Sequence, residues 1–531
     1  MTLSSNKKIN QQRLIKYFRL VFPYLFIGVL TYFYLSFYKY YLPSPTEDEG
    51  AFLYRANDIL HHMVLYKDIG AILLPGNYYF LAFIYKIFGY SFGVTRELVL
   101  IIDTIISLLL FHLSSKIIDK WFSVIPPLLF VLYGFPEVFG YYHYTNGMLL
   151  LFTSLLFFLY YLDNYNNILL LFTGIFVGLT TLFLQSAGFY AFIAIVFVMW
   201  TRKNSDRIKS IGFFVLSLSV IILIPFIYLA YKHAFISFIQ DELVAARIYK
   251  GLVSFSMLML FKSMLPVWHE QSIIIVSVFS IIGITGIILL VFKKHKTPAQ
   301  TVLFIGTGVL FLNTWQRIIF APLYLVFINS AMTMVFLIWL FKVLLDYLRT
   351  KLWIVLYNGI NRLISIVAFA ALVGIGFKFY SRINYIQNNA NWFNVNGIEL
   401  WTYNKQNAMD LESFSMHAKR IMGNERMVLV YPYSPILYTL LDLESPSKYD
   451  VLIKVGNSKG TPNAVLEDTI KHLKNIPVRF IITYDWAPNT FETTSKELGI
   501  KYVPNKLDEY IMHHYVPVFR RGGFVLMALE Q

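Results

Sequence analysis

Glu47, Asp48 and Glu49 place three consecutive carboxylates in an otherwise apolar chain, directly after the bends set by Pro43 and Pro45. A carboxylate beside a bilayer is partly desolvated, which raises its pKa toward the range where it can take a proton from an acceptor hydroxyl or amine. The run continues through Tyr54, Arg55, Tyr66, Lys67 and Asp68 to Leu74-Pro75-Gly76-Asn77-Tyr78-Tyr79. Acidic, basic, aromatic and backbone-bending residues crowd into one segment, which reads as the floor of an active site. The register Phe52, Ala56, Ile59 and Leu60 predicts a short amphipathic helix along the membrane surface, its N-terminus presenting Asp48 and Glu49. The same acids suit an ordinary helix start, where the helix dipole favours negative charge. On residues alone both roles stand open.

The elements that must position these groups belong to a membrane protein. Of 531 residues, 57% are hydrophobic, 18% aromatic and only 14% charged, and the mean hydropathy is +0.58, far from a soluble average. The net charge of +15 sits in short basic stretches between apolar runs, as the positive-inside rule expects, so it predicts topology and no nucleic-acid partner. There is no cysteine, which excludes a disulfide frame, a thiol nucleophile and a cysteine-ligated metal.

Spans of about 20 apolar residues cross a hydrocarbon core roughly 30 Å thick, and on that basis about eleven are expected. They lie near 17–36, 98–118, 122–139, 147–162, 168–185, 187–200, 211–231, 272–292, 300–314, 318–341 and 363–380. The first follows Lys7, Lys8, Arg13, Lys16 and Arg19 with no small-residue cleavage site, and reads as a retained anchor with a cytoplasmic N-terminus. Alternation from there puts Lys116, Lys120, Arg202, Lys203, Arg207, Lys209, Lys293, Lys294, Lys296, Lys342, Arg349 and Lys351 in the cytoplasm. It puts the acidic loop 37–97, the loop 232–271 and everything after about 380 outside.

Residues 381–531 change character, with polar residues at soluble density. Met427 to Tyr431 and Val478 to Tyr484 predict short buried strands, and Met409 to Met422 and Ala464 to Asn475 predict helices. The expected fold is thus a polytopic α-helical membrane region, 1–380, followed by a C-terminal extracytoplasmic α/β domain, 381–531. That domain is assigned to packing, acceptor access or partner contacts.

The run Asp48-Glu49-Gly50-Ala51-Phe52-Leu53-Tyr54-Arg55-Ala56, then Tyr66-Lys67-Asp68, Leu74 to Tyr79, and Phe88-Gly89-Tyr90-Ser91-Phe92 with Arg96, resembles the first external loop of GT-C membrane glycosyltransferases. The likeness is to bacterial members related to protein O-mannosyltransferases and lipid A aminoarabinose transferases. Gly174-Ile175-Phe176-Val177-Gly178-Leu179-Thr180 before Gln185-Ser186-Ala187-Gly188 resembles their glycine-spaced helix and polar turn. The resemblance implies inversion at a sugar carried on a polyprenyl phosphate, with the first-loop acid, Asp48, as base and Glu49 supporting it. Cations are then needed where the departing phosphate gathers charge, and Arg55, Lys67, Arg96 and Arg317 are the candidates. Tyr54, Asp68, Tyr78, His143 and Gln185 are expected to line the substrate pocket.

Two departures narrow the substrate. The aminoarabinose transferases carry an Arg-Tyr element where this chain has Ala51-Phe52, and a basic residue before a double proline where it has Leu73-Leu74-Pro75. Both argue against that donor and against lipid A as acceptor.

A second acid near the external ends of the third and fourth helices is a superfamily feature, and Glu137 after Pro136 is the nearest match, with His143 and Asn146 close by. Glu137 and His143 could hold a divalent cation, although their spacing is no ligand signature, and no cofactor is certain. Asp103 falls inside the second span and should face the protein interior, paired with Arg96 or Arg317.

The expectation is a glycosyltransferase of a bacterial cytoplasmic membrane, moving sugar from a polyprenyl-phosphate donor to a glycan, lipid or protein acceptor outside. The alternatives are a secondary transporter, disfavoured because most acids cluster in one loop and no halves repeat, and a non-catalytic scaffold of the same fold.

Overall fold

A computed structural model describes residues 18, 21–44, 48–118, 122–134, 139–201, 206–252, 270–315, 331–351, 354–432, 434–449, 463–476, 478–484 and 504–530. The chain is mostly helical and multi-pass. Helix α1 (Val21–Ser36) leads to two short helices, α2 (Glu49–Leu60) and α3 (Gly76–Phe88). Helices α4 (Phe92–Ile117), α5 (Ile125–Tyr133), α6 (His143–Asn164), α7 (Asn167–Phe183), α8 (Gln185–Thr201) and α9 (Arg207–Tyr231) follow. Then come α10 (Phe235–Leu252), α11 (Glu270–Phe292), α12 (Pro298–Trp315), α13 (Ala331–Lys351) and α14 (Ile354–Asn389).

Among the described residues, four helices are long and apolar enough to cross a membrane: Phe92–Ile117, His143–Asn164, Arg207–Tyr231 and Ala331–Leu348. At 1.5 Å per residue the 26 residues of α4 reach about 39 Å, more than a hydrocarbon core requires. Shorter apolar helices occupy further expected spans at Val21–Ser36, Phe122–Tyr133, Asn167–Phe183, Gln185–Thr201 and Phe279–Phe292. Part of the span expected at 318–341 lies outside the described residues.

Small residues bring the helices together. A methyl on Gly174 would come within 1.9 Å of Ser217 Oγ, and one on Gly178 within 3.0 Å of the Leu218 carbonyl. The glycine spacing read in the sequence therefore forms the face where α7 meets α9, as small residues four apart do between membrane helices.

After α14 the chain forms a hairpin, β1 (Asn391–Val395) and β2 (Ile398–Thr402). Its Asn396-Gly397 turn has positive φ at both residues, 54° and 87°, as a tight hairpin turn demands. Then follow α15 (Lys405–Met422), β3 (Val428–Tyr431), α16 (Ile436–Leu441), α17 (Asn463–Asn475), β4 (Phe480–Tyr484), α18 (Lys506–His514), β5 (Tyr515–Arg521) and β6 (Phe524–Leu529). The sheet order is β3-β4-β6-β5, with β3 and β4 parallel and the other pairs antiparallel. Every residue of β3 is buried, as expected for a strand covered on both faces.

The C-terminal region is stitched to the first loop. Leu42 N donates to Trp401 O at 2.9 Å and Trp401 N to Tyr40 O at 2.9 Å, so the chain leaving α1 lies along β2. A methyl on Gly50 would meet Ile436 N at 2.1 Å, so glycine is what lets α2 touch the start of α16. The Tyr54 and Tyr438 rings stack at 4.7 Å, and Ser445 N donates to Tyr54 Oη at 2.8 Å.

These contacts change the expected character of α2. Nine of its twelve residues are buried, including Glu49, Arg55 and Asp58. It is an enclosed helix rather than one with a solvated polar face, because α16 covers the side that carries Gly50 and Tyr54.

Candidate active site

Glu49 opens α2, where the helix dipole favours a carboxylate, but its side chain is fully buried. Its Oε2 lies 2.7 Å from Arg96 Nη2, and its Oε1 accepts from Tyr141 N at 3.0 Å. Arg96 Nη2 also donates to Tyr41 O at 3.0 Å, and Nη1 donates to Phe139 O. Its guanidinium lies 4.7 Å from the Phe92 ring centroid and 5.5 Å from that of Phe139. One ion pair thus joins the exit of α1, the start of α2, the beginning of α4 and the turn before α6. Burial pushes the Glu49 carboxyl upward, and Arg96 and the Tyr141 amide pull it back.

Asp48, one residue earlier, is exposed. It stands at the N-cap position of α2 yet makes no side-chain cap hydrogen bond. The carboxylate therefore stands at a fixed edge without serving as the helix cap.

Behind this edge runs a hydrogen-bonded chain. The Tyr141 hydroxyl donates to Asn77 O at 2.9 Å, Asn146 Nδ2 donates to Asn77 Oδ1 at 2.9 Å, and Asn77 Nδ2 donates to Phe183 O at 2.9 Å. All three side chains are buried, where each unpaired polar atom would cost roughly 1–3 kcal/mol. Asn146 forms part of the wall of an apolar cavity of about 850 Å³ lined by Pro75, Tyr79, Ile102, Leu182, Pro225 and Tyr228 among others. The cavity lies among α3, α4, α6, α7 and α9, and the chain Asn146–Asn77–Tyr141 leads from it to Glu49.

No protein-family model matches the sequence, and no curated protein sequence matches it. Solved structures do. The Archaeoglobus fulgidus oligosaccharyltransferase, tethered with an acceptor peptide containing the NVT sequon, superposes with a TM-score of 0.53 at 12% identity, over 97% of this chain and 75% of that one. ArnT from Cupriavidus metallidurans, bound to undecaprenyl phosphate, gives 0.51 at 11% identity, over 96% and 98%. The chain shares the membrane fold of these two proteins. At these identities the likeness concerns architecture alone.

Within this fold the residues singled out in the sequence fall into distinct places. Arg55 is buried, with Nη1 donating to Tyr78 Oη at 3.1 Å, and Tyr78 stacks on Phe52 at 5.3 Å. Arg96 is enclosed by Glu49 and backbone carbonyls rather than turned to an open cleft, and it is not the partner of Asp103 that the sequence suggested. Asp103, two turns further along α4, is buried, and its Oδ1 has no hydrogen-bond partner among the described residues. Lys67 and Asp68 are exposed, and Asp68 Oδ2 accepts from Val64 N at 2.8 Å to close the turn that carries both. Tyr54 faces the C-terminal region. His143 is buried beside Tyr144, their ring centroids 4.0 Å apart. Glu137 and Arg317 lie outside the described residues. Among those described, no three His, Asp or Glu side chains gather as metal ligands would.

Two acids went unremarked in the sequence. Asp241 and Glu242 on α10 sit where burial raises both, Glu242 to about 7 with Asp241 adding to the effect and Gln185 opposing it. An acidic pair inside the polar stretch 232–271 was the signal that could have marked them.

Proposed function

We propose that the chain is an inverting membrane glycosyltransferase that moves a sugar from a polyprenyl-phosphate donor to an acceptor on the external side of a bacterial cytoplasmic membrane. The observation that carries this reading is the position of Asp48: an exposed carboxylate on a helix end locked by Glu49 and Arg96. The hydrogen-bonded chain from there to the apolar cavity supports it, since such a donor needs an apolar seat beside a polar reaction centre. The likeness to ArnT bound to undecaprenyl phosphate and to an oligosaccharyltransferase tethered with an acceptor peptide points the same way.

In this mechanism Asp48 accepts the proton of the acceptor hydroxyl or amine. The freed lone pair attacks the anomeric carbon from the face opposite the phosphate. The bond between that carbon and the phosphate oxygen breaks, the electron pair leaves with the polyprenyl phosphate, and the configuration inverts. Lys67, exposed on its turn, supplies positive charge to the departing phosphate, with Arg317 a further candidate. Glu49 and Arg96 act by positioning, Glu137 supports the site as a second acid, and Tyr78 with Arg55 shapes the pocket floor.

Asp48→Asn keeps size and hydrogen bonding but cannot take a proton. Purified Asp48→Asn protein should lose roughly 10² to 10⁴ in turnover while binding donor normally. Full sugar transfer by that variant would sink the assignment.

A further inference from the structure

Asp241 lies in the second turn of α10 with its carboxylate almost wholly enclosed, and every donor it meets comes from a distant part of the chain. Its Oδ1 accepts from Lys448 Nζ at 3.0 Å and from Tyr449 Oη at 3.3 Å, and its Oδ2 accepts from Ala71 N at 3.4 Å. The Lys448 carbonyl accepts from Gly70 N at 2.7 Å. A methyl on Gly70 would fall 2.5 Å from the Tyr449 ring, so this meeting also depends on glycine. Three segments, 70–71, 241 and 448–449, close into one junction.

That junction bears on the cavity. Phe238, on the same helix as Asp241, packs on Tyr66 at 5.0 Å and on Phe226 of α9 at 5.2 Å. Ile221, Ile224, Pro225 and Tyr228 of α9 form one wall of the cavity, and the Tyr228 ring meets Tyr79 at 5.7 Å. Whatever fixes α10 therefore fixes the end of α9 and the width of the cavity beside it. A buried ion pair adds little net stability compared with apolar packing, because desolvation offsets attraction, so the role open to this one is to select a single geometry.

We propose that Lys448 is a positioning residue of the donor site: it holds Asp241, and through α10 it sets the cavity wall, so that the C-terminal region governs the fit of the donor lipid. This rests on the reading of the cavity as the seat of a prenyl chain. Neither residue touches the reacting atoms.

The test measures binding of polyprenyl phosphate to the full-length protein in detergent, together with sugar-transfer kinetics. Lys448→Met should weaken binding roughly tenfold, within the usual range of coupling between sites, while kcat at saturating donor is kept. The charge-swapped pair, Lys448→Asp with Asp241→Lys, should recover most of that loss, which a general loosening of the fold would not do. Should Lys448→Met fail to fold, Tyr449→Phe removes a single donor to Asp241 and should weaken binding severalfold. A parent that binds polyprenyl phosphate beside a folded Lys448→Met, or in its place a Tyr449→Phe, that binds equally well overturns this inference alone. A parent that binds none overturns the functional reading and this inference with it.

Discussion

Glu49 and Arg96 form a buried ion pair, 2.7 Å between Oε2 and Nη2, that joins the first residue of α2 to the start of α4. Because Arg96 also donates to the carbonyls of Tyr41 and Phe139, four stretches of backbone meet at one guanidinium. Arginine suits the task, since its planar fork presents several donors at once.

Removing either partner leaves the other charged and buried, a loss of roughly 3–5 kcal/mol. Glu49→Gln and Arg96→Met should each lower thermal stability strongly, and the double variant should lose much less than the sum. Strict additivity in a double-mutant cycle would show that the pair is not coupled.

Lys67 is exposed on a turn of its own, so neutralising it should leave the fold intact. Lys67→Met is expected to weaken donor binding by about ten- to a hundredfold, the worth of one charge-assisted hydrogen bond. Unchanged affinity for a polyprenyl-phosphate sugar would move the phosphate site elsewhere.

Glu242 carries a pH prediction. Its carboxyl is raised from an ordinary 4.5 to about 7, so the folded protein keeps a proton that the unfolded chain releases. The stability it contributes is complete below 4.5 and is lost as pH rises through 7. Melting curves at pH 5 and pH 8 should differ more in the parent than in Glu242→Gln; equal differences would remove this group from the account.

Orientation can be read with single cysteines, since the chain has none of its own. His62, Asp206 and Asn396 are all exposed. Replacements at His62 and Asn396 should react with an impermeant thiol reagent on intact spheroplasts, and one at Asp206 should not. Labelling at Asp206 alone would invert the topology.

The membrane helices were legible because their signal is local: apolar length and composition fix Phe92–Ile117 or Arg207–Tyr231 without reference to partners. The strands at Val428–Tyr431 and Phe480–Tyr484 were legible for the same reason. The site was legible in part. The acidic run is visible in sequence, but the burial of α2 depends on α16, far along the chain, and no periodicity within Phe52, Ala56, Ile59 and Leu60 reports it. Arg96 read as a cation for a ligand because its partner, Glu49, belongs to another helix. Asp241 and Lys448 escaped notice because each looks like a solvated charge until the fold brings them together.

The hydrogen bond between Ser445 N and Tyr54 Oη spans 391 residues, and this sets an order of events during synthesis. At 5–20 residues per second, a ribosome needs about 20–80 s to travel that far. Throughout that interval α2 has emerged while the segment that covers it does not yet exist. The polar and apolar surface around Gly50 and Tyr54 must therefore wait, exposed or chaperoned, and the acid edge at Asp48 reaches its final shape only once residues 436–445 have emerged. A ribosome that stops before residue 445 leaves α2 without the segment that covers it, so the enclosed form of α2 is confined to molecules whose synthesis has passed that point.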